Sequence, residues 1–174
     1  AVIGGGNVAV DAARSAWRLG AAQVSIVYRR SRREMPANPW EIEAAEEEGI
    51  DIRYLAAPTR ILGRDGKVWN MECIRMELSE PDASGRRRPV PLKGSEFTIP
   101  VDIIIPAISQ RPVLRSLADH RGKPFRTTSQ GLLEVDPVTL ETSAPGVFAG
   151  GDAVSGPATA VEAIEAGKRA VLSI

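Results

Sequence analysis

Ala1-Val2-Ile3 is a short apolar run that passes directly into Gly4-Gly5-Gly6, a strand read into a glycine turn. Over Asn7 to Leu19, the residues Val8, Ala12, Ser15, Ala16 and Leu19 fall on one helical face, and Gly20 stands where a C-terminal cap belongs. Val24 to Tyr28 follows as a second strand. Strand, glycine turn, helix and strand within about thirty residues are the footprint of a βαβ unit. A basic loop, Arg29 to Arg33, leads to Asn38-Pro39-Trp40-Glu41. There Asn38 can cap, Pro39 suits the first helical position and Glu41 can close a capping box, which predicts a second helix ending near Gly49.

Asp51 to Leu55 reads as a third strand. Beyond Pro58, Thr59 to Leu62 and Val68 to Leu78 flank Asp65-Gly66, and a turn at Asp82 to Gly85 precedes the extended stretch Pro89 to Ile99. The expectation is an antiparallel meander hung on a parallel sheet. Val101 to Ile105 sets four β-branched apolar residues around Asp102, the composition of a strand buried on both faces. From Pro106 to Glu141 the pattern weakens, with turns at Gly122 to Pro124 and at Gln130-Gly131. Gly146 to Ala149 is read as a short strand entering Gly150-Gly151-Asp152, and Pro157 as the opening of a last helix with Ala160, Val161, Ile164 and Val171 as its apolar stripe.

Composition narrows the chemistry. No apolar run approaches the roughly 20 residues that span a bilayer, and the 22 basic residues balance 22 acidic ones. Neither a membrane nor nucleic acid is an expected partner, and any anion site must be local. The single cysteine, Cys73, has no partner for a disulfide or a multi-cysteine metal site, and His120 has no second histidine with which to hold zinc. No catalytic residue and no metal ligand is therefore assigned. Cys73 is expected to be buried packing in the meander and His120 a surface residue. The chain opens without an initiator Met on what reads as the tail of a strand, as expected of a piece of a longer protein.

Gly4-Gly5-Gly6-Asn7-Val8-Ala9 fits G-x-G-x-x-A. In that pattern Gly4 allows a tight turn, Gly6 lets a pyrophosphate approach the backbone, and Ala9 permits close helix packing. Amides at the helix start, around Asn7 and Val8, then hold the phosphates with help from the macrodipole. At the end of the second strand an NAD-selective site would usually present Asp or Glu to a ribose hydroxyl, whereas this chain has Arg29 and Arg30, with Arg32 and Arg33 behind them. Guanidinium groups favour the 2′-phosphate of NADP through charge-assisted, often bidentate hydrogen bonds. The competing role for these arginines is ion pairing with the acidic helix carrying Glu41, Glu43, Glu46, Glu47 and Glu48. Arg29, nearest the strand end, is the first candidate.

The runs G-G-G-N-V-A-V-D-A-A-R and V-Y-R-R-S-R-R-E-M-P-A resemble the small, NADPH-oxidising (beta) subunit of bacterial glutamate synthase and its relatives, including the corresponding region of dihydropyrimidine dehydrogenase. Thr142 to Asp152 resembles that family's second flavin motif, and the likeness covers essentially all 174 residues. It implies an α/β, pyridine nucleotide-disulfide oxidoreductase-like fold. Residues 1–106 would be a Rossmann-like, three-layer NAD(P)H domain with a parallel sheet and a β-meander, and 107–174 the returning part of a split FAD domain. Carried over by position, Gly151 and Asp152 would meet the flavin ribityl chain, and Thr159 and Ala160 would offer amides to the flavin pyrimidine oxygen. Ser109 stands where the family usually has glycine, so a positive φ there would strain it. The family's amino-terminal FAD-gripping glycine motif and its iron–sulfur cysteines are not in this sequence, so these residues alone are expected to bind FAD poorly.

The resemblance implies a cytoplasmic NADPH-dependent FAD oxidoreductase that moves hydride from NADPH to FAD and onward, working with a large catalytic or iron–sulfur partner subunit. The alternative is an isolated nucleotide-binding or interaction module, with Arg86-Arg87-Arg88 and Arg29 to Arg33 as docking patches and no turnover. Short-chain dehydrogenases need Tyr-x-x-x-Lys, but Arg32 follows Tyr28 and Pro58 follows Tyr54 at that spacing. A methyltransferase would want an acid where Arg29 stands.

Overall fold

In the computed structural model, which describes residues 1–81, 87–110, 112–114, 117 and 122–174, the opening strand is the spine of a parallel sheet. β1 (Val2–Ile3) pairs on one side with β2 (Ser25–Tyr28), which pairs with β3 (Asp51–Tyr54), so that the crossover helices α1 (Asn7–Arg18) and α2 (Pro39–Glu47) connect parallel neighbours. Between β3 and the last parallel strand the chain makes the predicted meander, β4 (Ala56–Arg64), β5 (Lys67–Pro81) and β6 (Arg87–Pro100). It then returns as β7 (Ile105–Pro106) on the other side of β1, giving the order β3-β2-β1-β7. The predicted turn at Asp82 to Gly85, together with Arg86, Arg111 and His120, lies outside the described residues.

Alternation along β2 makes three layers. Ile26 and Tyr28 point into a core with Val10, Ala13, Ile42 and Ile50 of the helical layer, while Val27 points into a second core with Met71, Cys73, Ile99 and Val101 of the meander. A two-sided strand of this kind reads as an unbroken apolar run. Burying each such aliphatic side chain contributes about 1.5–3 kcal/mol of transfer free energy. Cys73 is fully buried, and burial pushes its thiol above the ordinary range, as befits packing rather than redox chemistry.

Three expectations in this unit are corrected. The buried face of α1 is Ala9, Val10 and Ala13, whereas Val8 is 71% and Leu19 88% exposed. The small Ala9 lets the helix start sit on the glycine bend, and that contact, rather than the larger apolar residues, sets the rotation. The Val101 to Ile105 run is not a strand buried on both faces. Asp102 and Ile103 are exposed, while Val101 and Ile104 pack against the meander core and Ile105 against the helical one. Its place at the sheet edge explains the difference. The expected capping of α2 also differs, because the Asn38 side chain makes no cap hydrogen bond.

The chain divides into two compact units, Ala1–Ile108 and Ser109–Ile174. The second contains the antiparallel bridges Thr127 with Leu133, Val135 with Thr142 and Glu141 with Phe148, then α3 (Asp152–Ser155) and α4 (Ala160–Val171). The expected strand at Gly146 to Ala149 is reduced to the bridge at Phe148. Pro157 precedes α4 rather than opening it, since Thr159 is the N-cap and closes a capping box with Glu162. Of the predicted stripe, Ala160, Val161, Ile164 and Val171 are exposed. The side of the helix next to the glycine turn carries Ala166, half-buried beside Gly150, and Ala163, still exposed, beside Gly151. Ser109 does adopt a positive φ of 84°, the strained conformation expected of serine at that site. No helix among the described residues is long and apolar enough to cross a membrane.

Candidate nucleotide site

The glycine bend is built by three different contacts. Gly4 has φ +145°, and a Cβ there would stand 2.3 Å from the Ala107 carbonyl oxygen and 3.3 Å from Ala9 Cβ. A Cβ on Gly5 would penetrate the Tyr28 ring at 2.5 Å. A Cβ on Gly6 would meet nothing within 4 Å. Thus the protein's own packing requires the first two glycines, while the third keeps open space in front of the helix.

Gly6 is the N-cap of α1 in extended conformation, with no side-chain cap and no acidic residue in the first turn. The amides at Asn7 and Val8 begin the helix, and first-turn amides have no intrahelical acceptor. Both residues are exposed. Donors, positive dipole end and open space coincide there, an arrangement that accepts an anion. The Asn7 side chain has a structural duty, its Oδ1 accepting from Asn38 N at 2.9 Å.

Arg29 and Arg30 leave the end of β2. Among the described residues Arg29, Arg30 and Arg33 have no ion-pair partner, whereas Arg32 pairs with Glu46 and, at 3.8 Å, with Glu43. The basic loop therefore splits, with Arg32 serving the acidic helix and the others available to a ligand. Arg30 also carries a buried Nε with no hydrogen-bond partner, and leaving such a donor unpaired costs about 1–3 kcal/mol. A cleft of about 570 Å³ opens beside this loop, lined by Ser31, Arg33, Met35, Ala37 and Ile42 among others.

Several connecting residues were not singled out from the sequence. Tyr28 stacks beneath Gly5, and its hydroxyl donates to Glu34 O at 2.7 Å. Burial raises its phenol pKa, with the Arg30 cation opposing. Ser31 and Glu34 form a capping box around the single 3-10 turn Arg32–Glu34. The pattern Ser31-x-x-Glu34 is the ordinary signature of that motif and could have been found.

In the second unit, Gly151 has φ 63° and ψ −150°, a backbone region open essentially to glycine alone. It delivers Asp152 exposed at the start of α3, with Oδ1 accepting from Ala158 N at 3.3 Å. Thr159 N donates to Glu162 Oε2 at 2.8 Å, and Ala160 follows as the first residue of α4.

The family model for pyridine nucleotide-disulphide oxidoreductases matches residues 1–167. The chain belongs to that family. Within this oxidoreductase family it is 53% identical over 174 residues to the NADP(+)-dependent formate dehydrogenase subunit beta of Moorella thermoacetica, covering all of this chain and 24% of the relative. It is 40% identical, over 99% of its length, to the glutamate synthase [NADPH] small chain of Azospirillum brasilense, of which it spans 36%. Among solved structures, the thioredoxin reductase of T. acidophilum shares the fold, with a TM-score of 0.74 at 24% identity over 99% of this chain and 50% of that one.

Proposed function

We propose that the first unit binds NADPH and belongs to a cytoplasmic, flavin-dependent oxidoreductase that takes hydride from NADPH and passes the electrons to an acceptor through a partner subunit. The observation that carries this reading is the pairing of an uncapped, acid-free helix start behind Gly6 with Arg29 and Arg30, which have no carboxylate partner among the described residues. The amides of Asn7 and Val8 hold the diphosphate, Gly6 gives it room, and Gly4 and Ala9 keep the helix close behind. Arg29 and Arg30 take the 2′-phosphate through charge-assisted hydrogen bonds. The names of the Moorella and Azospirillum relatives, which include NADP(+) and NADPH, agree with this choice.

The second unit contributes part of a flavin site. Asp152 suits a ribityl hydroxyl, Gly151 lets the chain approach it, and the Ala160 amide is available to a pyrimidine oxygen. Thr159, whose own amide is held by Glu162, aims that helix start. Flavin and nicotinamide supply the redox chemistry when bound, and the chain binds, aligns and sets the local charge. The 174 residues alone are then a binding unit without turnover.

Rapid anaerobic mixing of the full-length protein with NADPH tests the reading. Loss of the oxidised flavin's visible absorbance with NADPH, and at least about tenfold less efficiently with NADH, is the expected result for a site that reads one phosphate. Flavin reduction indifferent to the 2′-phosphate would contradict it.

A further inference from the structure

Two parts of the proposed site, the bend for the diphosphate and the loop for the 2′-phosphate, lie on different stretches of chain. The Tyr28 ring lies under Gly5, where even a methyl group would collide with it at 2.5 Å. Its hydroxyl donates to Glu34 O at 2.7 Å. Ser31 N donates to Glu34 Oε2 at 3.2 Å, the Ser31 hydroxyl donates to the same carboxylate oxygen, and Arg33 N donates back to Ser31 Oγ at 3.3 Å. Ala37 N then closes on Gly5 O at 3.0 Å. The loop carrying the arginines is thus tied at both ends to Gly5, the residue next to the open bend at Gly6.

We infer that Tyr28, Ser31 and Glu34 are positioning residues that set nucleotide selectivity by fixing the arginine loop against the glycine bend. This rests on the NADPH reading above. A free loop must be ordered when it closes on a ligand, and that cost weakens binding. A loop already closed by the capping box and the tyrosine meets the 2′-phosphate in place.

The sign of the effect separates this role from simple electrostatics. Glu34 is an anion in a loop meant for a phosphate, and its hydrogen bonds from Ser31 hold its carboxyl below the usual range, so it stays ionised. Were charge the whole of its influence, neutralising it would tighten NADPH binding. A positioning role predicts the opposite.

The test is titration of the full chain with NADPH and NADH for Tyr28→Phe, Glu34→Ala, Ser31→Ala, Ser31→Thr and Arg29→Ala, with Tm measured for each. Glu34→Ala removes the charge and the acceptor together, so electrostatics alone predicts tighter NADPH binding and a lost cap predicts weaker binding. Tyr28→Phe and Glu34→Ala are expected to weaken NADPH binding about three- to tenfold, the size of a lost cap expressed as affinity, with NADH changed less than about twofold. Ser31→Thr, which keeps the hydroxyl, restores what Ser31→Ala loses. Tighter or unchanged NADPH binding by Glu34→Ala overturns the inference. So does an equal loss for both nucleotides, which would mark mere support of the fold. If Arg29→Ala leaves the preference for NADPH intact, the underlying reading fails as well. If it abolishes the preference while Tyr28→Phe and Glu34→Ala do nothing, only the positioning role fails.

Discussion

Replacing Gly4 by alanine is expected to destabilise the first unit by about 3 kcal/mol or more, because the backbone conformation and the contact both exclude a side chain. The new methyl would stand 2.3 Å from the Ala107 carbonyl oxygen at φ +145°, and the backbone on both sides is committed. Gly4 N donates to Val27 O at 3.1 Å, and Ala107 N to Ile3 O at 2.7 Å. Relief requires β7 to leave β1, which breaks the sheet edge. For a chain of this size the loss corresponds to a fall in Tm of roughly 6–12 °C, measurable by thermal unfolding followed by circular dichroism. A variant melting within about 2 °C of the unmodified chain would show that β7 yields freely.

Gly6→Val should do the reverse, preserving the fold and removing the ligand. Gly6 has φ −89° and ψ 175°, which valine accepts, and nothing lies within 4 Å of its Cβ position. The only structural cost is a poorer N-cap, about 1 kcal/mol or less. The isopropyl group would occupy the space assigned to the diphosphate, and a loss of about a hundredfold in NADPH affinity is expected, equivalent to about 3 kcal/mol. Calorimetric titration of a variant shown to be folded reads this directly. Undiminished affinity would place the diphosphate elsewhere. Gly4 and Gly6, two residues apart in one motif, thus separate stability from binding.

Much of the architecture was legible because it depends on local pattern. The strand, glycine turn and helix at Val2 to Arg18, the Asp65-Gly66 turn and the long meander strands each carry their own signals. What failed depended on neighbours distant in sequence. The rotation of α1 is set by Ala9 against Gly4, so a stripe drawn through Val8 and Leu19 missed the buried face. The run at Val101 to Ile105 has the composition of a central strand but lies at an edge, and composition does not specify strand order. In α4 the larger apolar residues are exposed while the small Ala166 is half-buried beside Gly150.

The site was legible in its residue types and illegible in its connections. The glycines and arginines mark a candidate anion site, but the sequence did not separate Arg32, held by Glu46 and Glu43, from Arg29, Arg30 and Arg33. Nor could it place the Tyr28 ring beneath Gly5, since that contact spans 23 positions and exists only once the two strands lie side by side.

The central claim is that the open bend at Gly6 and the guanidinium groups after β2 act on one nucleotide. It is tested most directly by calorimetric titration of this chain and of Arg29→Ala with NADPH and NADH at matched ionic strength. One charge-assisted contact contributes about 1.5–3 kcal/mol, so the account predicts that the chain binds NADPH more tightly and that Arg29→Ala loses about ten- to hundredfold in NADPH affinity with NADH nearly unaffected. Equal affinity for the two nucleotides in the unmodified chain, or an equal loss of both in Arg29→Ala, would contradict it.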